Sequence, residues 1–377
     1  MIICRIILLL YLFFNIFKAE NTDSLINDFN VSMMNSISKA NIAGMGLAII
    51  AKDSIIFKKG YGYSNLKTME AFTPNTIMNI ASISKTFIGV SIMYLVENRK
   101  VKLDDDINIY LSFEVHNPFY PDSIITLRHL MSHTSGIIDN DEIYPKYYNY
   151  GGDSPIPLET FLRDYLNQNG KLYSKNNFSK ENSATKFNYS NIGAGLAGLI
   201  VEKVSGKPFN IFTKEIIFKP LKMDDTCWFL DEMDNRENHS KLYKTQLFNL
   251  FRMEVELYGL STYPDGGLRT SINDLSKYLL HISKYSKNTN TEILKKNTFT
   301  EMFKIDHVNH YTKFWEVQDH NIIGHGGADP GVKTGMYYNL KKRFGIIFFI
   351  NTYPHGKSKN MIKKINEFAM QLNSTLD

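Results

Sequence analysis

Two copies of the tetrapeptide Ser-Ile-Ser-Lys, Ser36–Lys39 and Ser82–Lys85, carry residue types that could do nucleophilic chemistry. A serine and a lysine three residues apart on a helix lie on the same face. The amine can then accept the serine proton, and the positive N-terminal end of the helix favours developing negative charge. The same spacing also occurs at Ser64–Lys67 and Ser183–Lys186, so the surrounding sequence has to identify the reactive copy.

The sequence around each copy separates them. The first lies in Leu25–Asn41, a polar amphipathic stretch that is typical of an exposed helix. The second precedes Thr86–Val96, which is so apolar that we expect a helix buried in the core. A lysine at the start of a buried helix needs polar partners, because burying an unpaired charge is costly. We therefore predict that Ser82 and Lys85 are the reactive pair.

An acyl-transfer site also needs a second proton-handling group and an oxyanion hole. Tyr189-Ser190-Asn191 supplies a phenol and an amide just before Ile192–Val204, a helical segment rich in small residues. Three other triplets share the Tyr-x-Asn spacing: Tyr63–Asn65, Tyr147–Asn149 and Tyr337–Asn339. For a third element the candidates are Gly324–Gly327, which contains His325, and Lys333-Thr334-Gly335. The second candidate runs straight into a strand-like segment, which favours an ordinary strand lysine.

The sequence gives little support for a metal-binding or nucleotide-binding site. His307, His310, His320 and His325 could be drawn as a metal cluster, but no His-Glu-x-x-His motif accompanies them. Loop histidines at solvent are the favoured interpretation. The sequence also lacks a phosphate-binding loop, a dinucleotide fingerprint and a Gly-x-Ser-x-Gly elbow. We predict neither a metal nor a cofactor.

The composition describes an ordinary globular protein. Of 377 residues, 43% are hydrophobic and 21% are charged, which is enough apolar material for one large core. The formal net charge is only +5, and no basic run accompanies it, so we do not expect a nucleic-acid partner.

The first 19 residues predict a signal peptide. Arg5 precedes the apolar run Ile6–Phe14, which is too short for a membrane span, and Ala19 offers a small residue for cleavage. We expect a secreted or exported protein without a stable membrane span. An uncleaved N-terminal anchor is the alternative, because Phe17 fits poorly three positions before the cut. Cleavage would leave Cys227 as the one cysteine, so no intrachain disulfide is expected.

Strand-like runs occur near both ends of the chain. Gly46–Lys52 and Ser54–Gly60 predict a hairpin. Lys333–Leu340 and Phe344–Asn351 predict two more strands, followed by an amphipathic helix at Lys359–Leu372. Between the two ends the segments are mainly helical, roughly over residues 85–260. The pattern predicts an α+β fold in which one sheet is built from both ends of a single domain, residues 20–377.

Six segments, in this order, resemble the serine β-lactamase-like hydrolases of the class C β-lactamase, D-Ala-D-Ala carboxypeptidase and esterase type. They are Gly60–Tyr63, Ala81–Lys85, Val101–Asp105, Thr126–Gly136, Pro264–Leu268 and Gly324–Gly327. Each motif is weak alone, whereas six in the right order are specific. The resemblance implies an antiparallel sheet flanked by helices, beside an all-helical lobe, with the site between them.

The resemblance also implies roles for individual residues. Ser82 would be the acylated nucleophile, Lys85 its proton partner and Tyr189 the general base or acid. The oxyanion hole would come from the backbone N–H groups of Ser82 and Ala328, and His325 would replace the lysine of the third motif. The substrate-binding positions would be Asn191, His325, Gly326, Gly327 and Ala328.

We therefore expect a secreted serine hydrolase that cleaves an ester or amide of a small molecule or peptide through a Ser82 acyl-enzyme. An esterase or a D-aminopeptidase or carboxypeptidase is favoured over a true β-lactamase, because His325 is not a permanent cation for a substrate carboxylate. Glu159 is a near miss for the hydrolytic glutamate of class A β-lactamases, since it precedes Tyr189. The alternative is a catalytically silent binding protein of the same fold.

Overall fold

The computed structural model describes residues 22–246, 251–287, 289–306, 308, 310–319, 321–353 and 359–375. The predicted signal peptide, residues 1–19, lies outside the described residues, and so do His307 and His320. No helix in the described part of the chain combines the length and apolar character that crossing a bilayer requires.

Strands and helices alternate along the chain. The strands are β1 (Gly44–Ala51), β2 (Ser54–Asn65), β3 (Glu70–Ala71), β4 (Met78–Asn79), β5 (Tyr148–Tyr150), β6 (Leu242–Gln246), β7 (Phe251–Val255), β8 (Tyr258–Leu260), β9 (Arg269–Thr270), β10 (Tyr311–Thr312), β11 (Trp315–Gln318), β12 (Ile322–Asp329), β13 (Val332–Asn339), β14 (Phe344–Ile350) and β15 (Thr352–Tyr353). The helices are α1 (22–39), α2 (Ser84–Glu97), α3 (Leu127–Met131), α4 (Leu158–Leu166), α5 (Asn191–Ser205), α6 (Phe209–Thr213), α7 (Lys219–Leu221), α8 (Ile272–Ser283), α9 (Lys296–Phe303) and α10 (Lys359–Ser374). A π-helical turn, Lys214–Phe218, joins α6 to α7.

Within the described ranges, the main sheet has eight strands in the order β10-β11-β12-β13-β14-β1-β2-β3. All neighbours in it are antiparallel, and β1 from the N-terminal part pairs with β14 from the C-terminal part. The sheet therefore draws on both ends of the chain, as the sequence predicts. At the tip of the predicted β1–β2 hairpin, Lys52 and Asp53 have φ of 47° and 68°. Positive φ at both central residues characterises the two-residue turn that matches the twist of paired strands.

Two hydrophobic cores lie on opposite faces of the sheet. Alternate residues of β1 enter different cores, because the side chains of a strand point to alternating faces. Met45, Leu47 and Ile49 pack with α1 and α10, whereas Ala48 and Ile50 belong to the larger core that includes α2, α5 and α8. Every residue of β1 is consequently buried.

Helix α2 is almost wholly buried, as predicted, and begins two residues earlier than the sequence pattern indicates. Phe87 stacks on Tyr278 of α8 with ring centroids 4.1 Å apart. A Cβ at Gly89 would lie 2.4 Å from the Lys313 carbonyl oxygen, so only glycine permits this approach. Because α2 has no solvent-facing side near its start, Lys85 is carried into the interior.

The predicted fold class is confirmed: an antiparallel sheet flanked by helices, with a mainly helical section between its two halves. That section also contains short strand pairs that the sequence did not indicate, β4–β9 and β5–β8.

The solvent-loop interpretation of His325 is wrong. The run Gly324–Gly327 lies inside β12, and His325 is 2% exposed. The glycines of this run allow close packing, since a Cβ at Gly324 would lie 2.1 Å from the Met336 carbonyl oxygen.

Candidate active site

Ser82 lies in a single 3-10 turn that leads into α2. Ala81, just before it, has φ of +49°, an uncommon conformation for a residue with a side chain. Two hydrogen bonds hold this turn: the Ala81 N–H donates to Asn79 Oδ1 at 2.7 Å, and Ser84 Oγ donates to the Ala81 carbonyl at 2.6 Å. The turn leaves Ser82 half-buried, while Lys85 one turn later is fully buried.

Lys85 has three hydrogen-bond acceptors around its side-chain nitrogen. Nζ donates to Ser82 Oγ at 3.2 Å, to Asn191 Oδ1 at 2.6 Å and to the Asp265 carbonyl oxygen at 2.7 Å. Three acceptors match the three N–H bonds of an ammonium group. Burial lowers the pKa of Lys85, but Tyr189 and Asp265 outweigh it and hold the pKa above its usual value. The resting side chain is therefore charged.

Tyr189 lies over this ammonium, with its ring centroid 5.0 Å from Lys85 Nζ. The residue is 38% exposed, yet its hydroxyl interacts with Lys85 and Ser82 in the interior. Burial raises the pKa of Tyr189, although both of these partners lower it. At neutral pH the phenol is thus protonated beside a charged lysine. Loss of one proton from this pair creates a base next to Ser82 Oγ.

Asp139, which the sequence reasoning missed, fixes the start of α5. Its carboxylate accepts from Ser190 Oγ at 3.0 Å, from the Asn191 N–H at 2.8 Å and from the Ile192 N–H at 2.9 Å. A carboxylate at a helix N-terminus satisfies free N–H groups and complements the helix dipole. Asp139 thereby holds Asn191 in place, and Asn191 Oδ1 accepts a hydrogen bond from Lys85 Nζ.

His133 supports Tyr189 from the other side. Its ring lies 4.3 Å from the Tyr189 ring, and its Nδ1 accepts from the Ser190 N–H at 3.1 Å. Burial, together with the charge of Lys85, holds the pKa of His133 well below its usual value. His133 is therefore a neutral support, which the sequence offered only as part of the segment Thr126–Gly136.

His325 is held in one tautomer. Nδ1 lies 2.6 Å from the Gly326 carbonyl oxygen, and Nε2 lies 2.5 Å from Tyr311 Oη. A carbonyl only accepts, so Nδ1 carries the proton and Nε2 accepts from the Tyr311 hydroxyl. Burial lowers the pKa of His325 to about 4. The residue is neutral at pH 7 and supplies no fixed positive charge.

Among the described residues, β11 pairs with β12 only as far as Gly324, so no described strand covers the edge of β12 beyond that residue. The Gly326 N–H points to this edge and donates to Glu316 Oε1 at 3.1 Å. N–H groups two residues apart point to the same side of a strand, so the Ala328 N–H faces the same edge. Ala328 itself is exposed.

Strand β12 passes close to the turn that carries Ser82. A Cβ at Gly327 would lie 2.5 Å from the Ile80 carbonyl oxygen and 3.3 Å from Ala81 Cβ. Thr334 of β13 fixes the same turn, since its Oγ1 donates to the Ile80 carbonyl at 2.8 Å. Thr334 belongs to the rejected Lys-Thr-Gly candidate, and its contact gives that triplet a structural role.

The structure thus joins Ser82, Lys85 and Asn191 by direct hydrogen bonds and places Tyr189 over Lys85. The His325 ring lies 6.3 Å from the Tyr189 ring. Gly326, Gly327 and Ala328 lie on the neighbouring strand. The first Ser-Ile-Ser-Lys copy differs: Ser36 Oγ donates to the Ser32 carbonyl within α1. Among the described residues, no group of three His, Cys, Asp or Glu side chains could hold a metal ion.

Asp265 is a buried carboxyl at the same site. Its backbone carbonyl oxygen accepts a hydrogen bond from Lys85 Nζ. Its carboxyl oxygens Oδ1 and Oδ2 lie 3.3 Å and 3.1 Å from Tyr144 Oη, which donates to them. Burial raises the pKa of Asp265 to about 7, although Lys85 acts to lower it.

We expect Asp139→Ala to lower the free energy of unfolding by about 1 kcal/mol, because the N–H groups of Asn191 and Ile192 at the start of α5 lose their acceptor. The displaced Asn191 and Tyr189 should also slow the reaction of Ser82 with a fluorophosphonate by about a hundredfold. Denaturant titration and timed intact-mass labelling measure the two effects. Asp141→Ala, at an exposed carboxylate two residues away, is the control and should change neither. Labelling at the wild-type rate in Asp139→Ala would contradict the positioning role.

Asp265→Asn should change how stability depends on pH. The carboxyl binds a proton more tightly in the folded chain, with a pKa of about 7 against an ordinary 3.8. Its contribution therefore favours folding at low pH and is lost as the pH rises towards 7. The free energy of unfolding of the variant should rise relative to wild type between these pH values, measured by denaturant titration. A difference that does not vary with pH would show that Asp265 ionises normally.

Several known proteins resemble this chain in sequence or in fold. Protein flp of Staphylococcus aureus (strain N315) is 23% identical over 328 residues, which cover 84% of this chain and 61% of that protein. The chain thus spans less than two thirds of that relative's length. Among solved structures, the hydrolase EstCE1, described as having promiscuous acyltransferase activity, superposes with a TM-score of 0.72 at 18% identity and covers 93% of this chain and 99% of that one.

D-amino acid amidase from Ochrobactrum anthropi SV3, solved with L-phenylalanine amide, superposes with a TM-score of 0.68 at 20% identity. The match covers 93% of this chain and 98% of the amidase. At these identities the two structures show a common fold. The family described as Beta-lactamase matches residues 23–368, which is most of the chain and confirms the resemblance found in the sequence. This chain belongs to the beta-lactamase family of serine hydrolases.

Proposed function

We propose that this protein hydrolyses an ester or amide through an acyl-enzyme on Ser82. The observation that carries the proposal is the 3.2 Å contact between Lys85 Nζ and Ser82 Oγ, with the Tyr189 phenol beside both. This arrangement combines a nucleophile with a coupled pair that can take up and return one proton. Family membership supports hydrolase chemistry in general.

In acylation, the reactive form has lost one proton from the Lys85–Tyr189 pair. Ser82 Oγ attacks the substrate carbonyl carbon and its proton passes to the pair. The carbonyl oxygen becomes an oxyanion, which the N–H groups of Ser82 and Ala328 would stabilise. When the intermediate collapses, the pair returns the proton to the leaving oxygen or nitrogen, and the acyl group stays on Ser82.

In deacylation, the same pair takes a proton from water, and the hydroxide attacks the acyl carbon. Ser82 Oγ leaves and regains the proton. Asn191 keeps its amide nitrogen for the substrate, since its Oδ1 is occupied by Lys85. The pair ends each cycle in the state in which it began.

An esterase or a D-aminopeptidase or carboxypeptidase fits this site better than a true β-lactamase. His325 is neutral and hydrogen-bonded on both ring nitrogens, so it does not offer the permanent cation that a lysine would present to a substrate carboxylate. The similar fold of a hydrolase such as EstCE1 and of a D-amino acid amidase is compatible with this choice. The proposed substrate is a small molecule or peptide.

The proposed location is outside the cytoplasm. Residues 1–19 have the charge and apolar pattern of a signal peptide, with residues 20–377 as the mature single domain. An uncleaved N-terminal anchor would give the same topology.

We expect a fluorophosphonate to add once to the protein and the adduct to map to Ser82 by peptide mass spectrometry. Ser82→Ala should abolish both the adduct and the hydrolysis of short-chain nitrophenyl esters, because it removes the serine hydroxyl that lies 3.2 Å from Lys85 Nζ. Ser36→Ala is a matched control, since it changes the same residue in an identical tetrapeptide, and it should keep both.

A label that persists in Ser82→Ala but vanishes in Ser36→Ala would overturn the assignment of the nucleophile. A chromogenic cephalosporin and a D-alanyl-D-alanine peptide, tested beside the esters, rank the substrate classes. Binding without turnover of any member would instead identify a catalytically silent protein.

A further inference from the structure

The carboxylate of Glu316 lies at the edge of β12, beside the candidate active site. Its Oε1 accepts from the Gly326 N–H at 3.1 Å, and its Oε2 accepts from Tyr337 Oη at 2.9 Å. A Cβ at Gly326 would lie only 3.0 Å from the Tyr337 hydroxyl oxygen and 3.7 Å from Glu316 Oε1, so a glycine here makes room for both groups. The N–H of Gly326, one of the expected substrate-binding positions, is therefore already paired within the protein.

Glu316 also brings a negative charge to this edge that no neighbouring cation neutralises in the described part of the chain. Its two oxygens accept hydrogen bonds, which is what an ionised carboxylate does. The basic side chain found within 4.0 Å of it is His325, with Nδ1 3.7 Å from Oε1. Burial lowers the pKa of His325 to about 4, although Glu316 acts to raise it. The imidazole is neutral at pH 7, so the charge of Glu316 remains.

The position of this charge relative to the reacting carbonyl follows from the strand. Gly326 and Ala328 are two residues apart on β12, so their N–H groups lie about 7 Å apart along the same edge. The Ala328 N–H is the proposed oxyanion donor, and an extended substrate that it holds can run along the edge towards Gly326. The Glu316 side chain is 30% exposed there, whereas that of His325 is 2% exposed.

We propose that Glu316 is a specificity-determining residue that excludes substrates with a carboxylate near the scissile bond. The proposal rests on the acyl-enzyme function proposed above and narrows its substrate class to esters and amides without a negative charge at this position. A carboxylate placed beside Gly326 would find that N–H already taken and would meet the like charge of Glu316. A peptidase that requires a free C-terminal carboxylate is therefore the disfavoured candidate.

Hydrolysis of matched neutral and anionic esters tests this role. One pair, 4-acetoxybenzamide and 4-acetoxybenzoate, differs in the charge of the leaving group. The other, phenyl adipamate and phenyl hydrogen adipate, differs in the charge of the acyl group. Each kcat/KM is divided by the rate of alkaline hydrolysis of the same ester, which removes intrinsic differences in reactivity.

In at least one pair, the wild-type protein should favour the neutral ester by about tenfold. Glu316→Gln keeps the shape of the side chain and an acceptor for the Gly326 N–H, but removes the charge. It should raise kcat/KM for the anionic ester of that pair by about tenfold and leave the neutral ester nearly unchanged. Added salt should weaken the wild-type preference, because exposed charges are screened, whereas a merely structural role would not respond in this way.

Glu114→Gln, the same change at a side chain that is 82% exposed, is the matched control and should keep the wild-type preference. Glu316→Lys provides a second variant if Glu316→Gln does not fold, and it should shift the preference towards the anionic esters. Equal rates for neutral and anionic esters in both pairs overturn the proposal, as does a preference that survives both changes at Glu316.

These outcomes separate the specificity from the proposed function. Hydrolysis of the neutral esters without a charge preference would refute the role of Glu316 alone. No hydrolysis of any ester, with a Ser82 that does not react with a fluorophosphonate, would refute the proposed function and the specificity together.

Discussion

The burial of one ammonium group, that of Lys85, organises the rest of the site. A charge in the interior is tolerated only when its hydrogen-bond donors are all satisfied. The three acceptors come from distant parts of the chain: Ser82 before α2, Asn191 at the start of α5 and the carbonyl of Asp265. Satisfying Lys85 therefore fixes α2, α5 and the segment before β9 relative to one another, and the same contacts build the candidate active site.

The residues around the partners of Lys85 adopt unfavourable conformations, which lower the stability of the folded chain. Ala81 and His133 adopt positive φ, and the carboxyl of Asp265 is buried beside the ammonium. Such conformations persist only when their surroundings determine them. Here Asn79 and Ser84 hold the turn at Ala81, while Asp139 holds the start of α5. The conformations next to Ser82 therefore lower the free energy of unfolding, and packing in the two cores on either side of the sheet offsets this loss.

Local pattern in the sequence was enough to predict the longer strands at both ends of the chain, the buried helix α2 and part of the site, but not the short strand pairs β4–β9 and β5–β8. Ser82 and Lys85 are one helical turn apart, and the apolar run after them predicts the buried helix that makes the pair unusual. Residues that act across long separations left no such signal. Asp139 reaches α5 from 51 positions away, and Tyr311 reaches His325 from another strand. Spacing along the chain does not encode these contacts. The burial of His325 was likewise not predicted, because it depends on contacts such as that with Tyr311, which the residues next to His325 do not reveal.

The central claim is that Lys85 and Tyr189 both hold their protons at rest and that the reactive form has one proton fewer. The pH dependence of Ser82 acylation in the unmodified protein tests it most directly. Below the apparent pKa of the pair, the acylation rate, corrected for reagent hydrolysis, should rise by about tenfold per pH unit from about pH 7 upwards and then level off. An acylation rate that stays constant from about pH 6 to about pH 9 would contradict the account.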